Sequence, residues 1–350
     1  MIRARLSSSM LSLGLQVFAC GLAAISARAE PSRAEFATRF EAAVRSKSAV
    51  VAGVDGWFFL PAELRLLSFD RFWGAAAAKS SRATRAEWAD PFPAIVDFHQ
   101  QLKARGIELL VVPVPPKAAI YPDKLFGGAG MGSAASMAAV TEFCGALRAA
   151  GVEVLDLAPV LVANSAHERG AVFCATDTHW SGSGCVLAAQ AIAQAIRNKV
   201  STPPAARTFT AEWKTVAIRG DLIELLGGGG AGPKDESIAV RAVSDAAGGS
   251  AVEPDAASPV LLLGDSHTLV FHDFLAQRAG LLDQLAMELG FPPDVIGTRG
   301  SGATPVRVTL YRRSVKEPTY LAKKKVVVWC FSAREFTEAE SGWQKIPVAK

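Results

Sequence analysis

The chain has 350 residues, 37 basic against 33 acidic, with a hydrophobic fraction of 50%. That length supports one large core or a domain carrying insertions. No long basic run and no aromatic-interleaved basic patch occurs, which argues against a nucleic-acid-binding surface.

In chain order, the first element reads as an export signal. Arg3 and Arg5 precede an apolar stretch at 10–25, and Ala27-Arg28-Ala29 is a small-x-small cleavage site. Residues 1–29 are thus expected to be a signal peptide, with the mature chain beginning at Glu30. The stretch is too short for a membrane span, and no other segment reaches the ~20 apolar residues that a span needs. Without the leader's three arginines, 34 basic residues face 33 acidic ones. The mature protein therefore carries no strong net field toward a charged polymer.

Residues 30–105 read as a mostly helical extension with one extended piece at 50–60. Short, mainly apolar runs then recur at 107–114, 152–157, 259–263, 294–297 and 325–331, as strands buried on both faces of a parallel sheet do. Helical spacing fills 135–150 and 181–197, and 273–289 reads as one broken helix or two short ones. This alternation predicts an α/β fold: three layers around a doubly wound, mainly parallel sheet, forming a single domain over 30–350. Right-handed crossovers place the loops that follow the strands along one edge. Residues 200–257 contain Gly227-Gly228-Gly229-Gly230 and read as a loop-rich insertion over that edge. Lys323-Lys324-Lys325 reads as a solvated approach to the last strand.

Two segments carry the chemistry. Gly264-Asp265-Ser266-His267 follows the 259–263 run directly, so Ser266 sits in a sharp turn after a strand, where its own N–H can face an oxyanion. Serine is a weak nucleophile at neutral pH and needs a histidine to take its proton and a carboxylate to orient that histidine. Asp177-Thr178-His179-Trp180 supplies both. Residues two apart in an extended loop point the same way, so Asp177 can hold His179. His267 is adjacent to the serine and its side chain should diverge; it reads as packing. His99 falls in an amphipathic helix, His167 lacks a nearby Asp, and His272 has only the adjacent Asp273. Trp180 either walls the pocket and stacks on a sugar or packs in the core.

Further donors come from Gly297-Thr298-Arg299-Gly300-Ser301-Gly302, a glycine-rich loop after another strand. Gly300 and Gly302 are candidates for oxyanion or substrate contact, with a plain turn as the alternative. Arg334, after the last strand, is a candidate for holding a carbonyl or sugar carboxylate, or else pairs with Glu335 or Glu338. Cys20 leaves with the leader. Cys174 and Cys185 bracket the Asp177-His179 segment, and a disulfide between them would brace it in an oxidising compartment; the alternative is four buried thiols. No Cys-x-x-Cys or His-x-x-x-His spacing occurs, so neither a metal nor a cofactor is expected.

Gly-Asp-Ser after a strand, with an Asp and His elsewhere, resembles the SGNH hydrolase superfamily. In that superfamily the serine comes first and Asp-x-x-His near the C-terminus. Here Asp-Thr-His-Trp precedes Gly-Asp-Ser-His, a circularly permuted order that is similar to the alginate O-acetyltransferase (AlgX/AlgJ-like) family. Gly53-Val54-Asp55-Gly56-Trp57-Phe58-Phe59, Val112-Pro113-Val114-Pro115-Pro116-Lys117 with Tyr121-Pro122, and Trp329-Cys330-Phe331-Ser332-Ala333-Arg334-Glu335 resemble further segments of that family. The resemblance covers roughly 48–337. It implies a periplasmic enzyme that O-acetylates an exported polysaccharide, supplied with acetyl groups by a membrane-bound acyltransferase partner. Ser266 then carries the acetyl group, His179 is the base and Asp177 orients it. A carbohydrate acetylesterase with the same triad, or a non-catalytic polysaccharide-binding assembly protein, are the competing readings.

Overall fold

A computed structural model describes residues 30–128, 132, 134–200, 207–227 and 235–350. Residues 1–29, expected to be a signal peptide, lie outside the described residues. Among the described residues no helix is long and apolar enough to cross a membrane.

Nine strands occur among the described residues. β1 (Val51–Ala52) and β2 (Phe58–Phe59) form a small antiparallel hairpin inside the otherwise helical N-terminal region. β3 (Glu108–Val114) and β4 (Glu153–Val154) follow, then β5 (Phe209–Ile218) and β6 (Glu236–Asp245), then β7 (Val260–Gly264), β8 (Asp294–Gly297) and β9 (Val326–Ser332). The central sheet has the order β4-β3-β9-β7-β8, and all of its pairings are parallel. The last strand in the chain thus lies at its middle. Every residue of β7 and β9 is buried, and all but the terminal Ser332 are non-polar or nearly so, as expected of central strands in a parallel sheet.

The helices start where side chains supply the missing backbone partners. Asp90 caps Pro91–Lys103 by accepting from Phe92 N at 3.0 Å, with Pro91 pre-set for the first helical position. Ala94, Ile95, Phe98 and Leu102 form its buried stripe, which packs on β3. Ser181 caps Gly182–Ile196.

Three expectations change. Residues 200–257 are not chiefly loop: β5 and β6 pair antiparallel over ten residues each, from Phe209↔Asp245 to Ile218↔Glu236. β5 is mostly exposed between its buried ends, and β6 mixes half-buried with buried positions, a pattern weaker than the apolar runs of the sheet. Residues 228–230 of the glycine run lie outside the described residues. The 273–289 helix shrinks to Leu281–Leu289, because Leu275 and Arg278 take left-handed backbone conformations (φ 65° and 62°) that no helix contains. Lys324 is not solvated; its Nζ is buried, 2.7 Å from Asp294 Oδ2.

β3, β7, β8 and β9 end on one edge at Val114, Gly264, Gly297 and Ser332. At Gly264 the chain passes so close to β9 that an added Cβ would lie 1.9 Å from Cys330 O and 2.5 Å from Thr268 Cγ2. Gly264→Ala should therefore push β7 off β9 and destabilise the fold by about 1–3 kcal/mol, read as a lower denaturant midpoint; an unchanged midpoint would contradict this packing.

Candidate active site

The turn that carries Ser266 is built by Asp265. Its Oδ1 accepts from His267 N at 2.9 Å and its Oδ2 from Ser332 N at 2.7 Å, which ties the turn after β7 to the end of β9. Burial pushes this carboxyl up, but His267, Arg334 and the Ser332 N–H outweigh that and hold it at about 2. Ser266 opens a short 3-10 turn, Ser266–Thr268, so its N–H is not used within the turn.

The second component is an arm, residues 172–181, lying between β4 and the Gly182–Ile196 helix. Phe173 bridges Trp180, Ser181 N donates to Val172 O at 3.0 Å, and Cys174 N donates to His179 O at 3.2 Å. The arm thus folds back on itself with Asp177 near its tip. Its exposed backbone groups are then claimed from outside. The buried Lys117 ammonium donates to Cys174 O (3.0 Å), Ala175 O (3.3 Å) and Asp177 O (2.8 Å). Glu236, at the start of β6, accepts from Ala175 N (2.8 Å), Thr176 N (2.9 Å) and Thr176 Oγ1 (2.8 Å). Asp221 accepts from Thr178 N at 2.8 Å and Thr178 Oγ1 at 2.6 Å. Gly220 lets that segment approach, since a Cβ there would lie 2.1 Å from Thr176 O.

Between these components runs an unbroken hydrogen-bonded chain. Asp177 Oδ1 is 2.6 Å from His179 Nδ1, and His179 Nε2 is 2.8 Å from Ser266 Oγ. Asp177 Oδ1 also accepts from His179 N at 2.9 Å, and Oδ2 accepts from Asp221 N at 2.9 Å. Burial would raise the Asp177 carboxyl; the His179 ring and the two N–H donors reverse this and hold it well below the usual carboxylate range. Asp221 moves the other way, raised first by burial and then by the Asp177 charge. Asp177, His179 and Asp221 lie close enough to suggest metal ligands, with donor atoms within 4.8 Å of one another. Each of these carboxylate oxygens accepts at least one hydrogen bond, and both ring nitrogens of His179 are engaged, by Asp177 and Ser266.

The chain opens into a cleft of about 430 Å³ whose lining includes Ser266, His179, Arg219, Arg299, Gly300 and Arg334. Of the sequence candidates, the structure brings together Asp177, His179, Ser266, Gly300 and Arg334. Arg334 pairs with neither expected partner; its Nη1 donates to Ser332 Oγ at 3.0 Å and lies 3.9 Å from Glu63 Oε1. Two candidates fall outside the cleft. Trp180 is fully buried, edge-on to His267 at 5.2 Å, and packs in the core. Gly302 faces the core too: its carbonyl accepts from Trp329 Nε1 at 2.8 Å, and a Cβ on it would meet Phe331. Cys174 and Cys185 are free thiols, so the expected disulfide is absent. Cys174 Sγ is 3.5 Å from Trp180 O, while Cys185 lies in the following helix; backbone hydrogen bonds and Lys117 do the bracing instead. His267 is a buried neutral wedge, pushed down to about 4 chiefly by burial, with its ring centroid 4.7 Å from that of His179.

Sequence reasoning missed Arg219, Asp221 and Glu224, which line the cleft from the segment after β5. It also missed the roles of Glu63, Lys117 and Glu236. Only Lys117 carried a signal, within Val112-Pro113-Val114-Pro115-Pro116-Lys117.

A parallel sheet bearing a serine turn at its strand ends, with Asp and His on a separate arm, defines an SGNH-type serine site. The family model described as SGNH hydrolase-like domain, acetyltransferase AlgX, matches residues 50–332, and the chain belongs to that family. It is 30% identical over 178 residues to the probable alginate O-acetylase AlgJ of Pseudomonas aeruginosa, covering 51% of this chain and 41% of that protein. It is 29% identical over 246 residues to the protein of the same name from Pseudomonas putida, covering 67% of this chain and 60% of the relative. The chain thus spans well under two thirds of these relatives' length. Among solved structures, the O-acetyltransferase domain of Pseudomonas putida AlgJ superposes with a TM-score of 0.61 at 24% identity, over 82% of this chain and 92% of that one. Pseudomonas aeruginosa AlgX gives 0.56 at 15% identity, over 86% and 65%. At these identities the two structures establish the shared fold.

Glu335 carries a pH consequence. It is buried under the loop that holds Gly300, with Ser301 Oγ donating to its carboxylate. Burial pushes the carboxyl up to about 7, with Ser301 and Arg334 offsetting only part of this. A carboxyl raised above its unfolded value stabilises the fold most when protonated; that contribution is complete below about 4.5 and lost as pH rises to about 7. Glu335→Gln should flatten this decline. Melting temperatures of wild type and variant, compared across that window, should diverge as pH rises, with the variant higher; parallel curves would contradict the assignment.

Proposed function

We propose that the protein is an exported polysaccharide O-acetyltransferase working through an acetyl-serine intermediate. The observation that carries this reading is the Asp177–His179–Ser266 chain, with links of 2.6 and 2.8 Å, opening on the cleft. Ser266 Oγ attacks the acetyl carbonyl while His179 Nε2 takes its proton. The Ser266 N–H and the backbone near Gly300 face the oxyanion, and Arg334 adds positive charge to the same wall. His179 returns the proton to the departing alcohol. A sugar hydroxyl then gives its proton to His179 and attacks the acetyl carbonyl, and His179 passes that proton to the departing Ser266 Oγ, restoring the free serine. Asp177 keeps the imidazole in the tautomer with Nδ1–H, so that Nε2 accepts.

Family membership supports this reading, as do curated relatives named probable alginate O-acetylase. The reading places the mature protein in the periplasm, accepting acetyl groups from a membrane-bound acyltransferase, because acetyl-coenzyme A stays in the cytoplasm. The polymer is a polysaccharide, and its sugar is open to direct assay.

The test incubates the purified mature protein with an acetyl donor ester, with and without defined oligosaccharides, and follows products by mass spectrometry. Acetylated sugar is expected; free acetate alone, whatever the acceptor, would make the protein an esterase. Ser266→Ala and His179→Ala should each lose most activity, by about 10³-fold or more, and the double variant should be scarcely worse, because the three residues act as a unit. Strictly additive losses would break the pairing, and a Ser266→Ala variant as active as wild type would remove the nucleophile.

A further inference from the structure

Of the described side chains lining the cleft, Phe274 and Leu275 are the two that are wholly hydrocarbon. Both come from one loop, 270–279, between the nucleophile turn and the Leu281–Leu289 helix. The Phe274 ring stands edge-on to the His179 imidazole, with centroids 5.7 Å apart, and the Arg299 guanidinium lies 4.1 Å over it. The loop is held in a shape that side chains rarely adopt, with φ of 64° at Phe271, 65° at Leu275 and 62° at Arg278. It is closed by Phe271 N to Phe274 O and Ala279 N to Phe271 O, each 2.9 Å. Its far end is pinned by Asp283 Oδ2, which lies 2.9 Å from both His272 Nδ1 and Gly280 N. Strained backbone of this kind persists where the surroundings over-determine it, commonly at functional sites.

We infer that Phe274, backed by Leu275, is the wall against which the acyl chain rests, and that it limits the group carried on Ser266 to a short one. The inference rests on the acyl-transfer reading above. An acyl group on Ser266 Oγ must point its carbonyl oxygen at the Ser266 N–H. It must also leave His179 Nε2 clear to take the acceptor's proton. Arg219, Asp221, Glu224 and Arg334 occupy the other walls, and laying hydrocarbon over them would strip charged groups of solvent without replacement. The apolar wall is what remains, and its phenyl ring, edge-on to the imidazole with centroids 5.7 Å apart, bounds the acyl chain on that side.

The experiment compares p-nitrophenyl acetate with p-nitrophenyl butyrate, with water as acceptor, in wild type, Phe274→Ala, Leu275→Ala and Ser266→Ala. Wild type should favour acetate. Phe274→Ala should raise the butyrate-to-acetate ratio of kcat/KM by at least about tenfold, the scale set by added methylenes in an apolar pocket, and Leu275→Ala should raise it less. Ser266-dependent turnover with an unchanged ratio overturns this inference alone. An equal loss with both esters also overturns it, because the ring would then merely support His179. A wild type with no Ser266-dependent turnover of either ester overturns the acyl-transfer reading and this inference together.

Discussion

The Asp177 carboxylate is 1% exposed, and a charge in that position is costly unless every lone pair it offers is met. Here three donors meet it: the ring and backbone N–H groups of His179 on one oxygen and the Asp221 N–H on the other. The hydrogen bond from Nδ1 therefore settles two things at once. It offsets the burial of the carboxylate, and it fixes the tautomer that leaves His179 Nε2 free to face Ser266 Oγ. Without the Asp221 N–H the same aspartate would have an empty oxygen in a dry site. The segment after β5 is thus part of the triad's support, although none of its side chains belongs to the triad.

The arm bearing Asp177 and His179 belongs to no strand of the sheet, so its backbone groups cannot find partners there. Three charged side chains answer that need from three directions. Lys117, from the segment following β3, takes the carbonyls; Glu236, from β6, takes two amides; Asp221 takes the amide and hydroxyl of Thr178. Lys117 N also donates to Glu63 Oε2 at 3.1 Å, and Glu63 Oε1 lies 3.9 Å from Arg334. The buried lysine is therefore joined to both walls of the cleft. Its own ammonium is pushed toward the neutral form by burial and drawn back by Glu63 and the nearby acids. An arm held this way needs no covalent brace, which is why Cys174 and Cys185 can remain thiols.

The parts legible in the sequence were those whose environment is uniform. β3, β7 and β9 are buried almost throughout, so their residues read as mainly apolar runs, and these strands and β8 fall within a residue of the expected ones. The Asp-x-His spacing and the turn after β7 were legible because local geometry alone aims those side chains. The β5–β6 hairpin was not. Most of β5 is exposed and most of β6 only half-buried, and the flanking glycines and small residues look like loop. Asp221 and Glu236 were hidden with it, since a carboxylate that accepts backbone amides has no sequence pattern of its own. Trp180 left two readings open, sugar platform or core, and its burial at the start of the helix capped by Ser181 matches the second.

The reversed motif order follows from the topology. In a parallel sheet, neighbours in space need not be neighbours in sequence, because each crossover helix returns the chain to the same edge. β9 closes the sheet between β3 and β7, so the ends of the first, third and last sheet strands meet beside Ser266. What the site requires is that one strand end present the serine turn, and that a neighbouring loop bring an imidazole to 2.8 Å from Oγ. The arm reaches that position from outside the sheet, anchored by Lys117 after β3 and by Glu236 on the hairpin. The position of the arm therefore rests on these backbone partners rather than on pairing with a strand of the sheet.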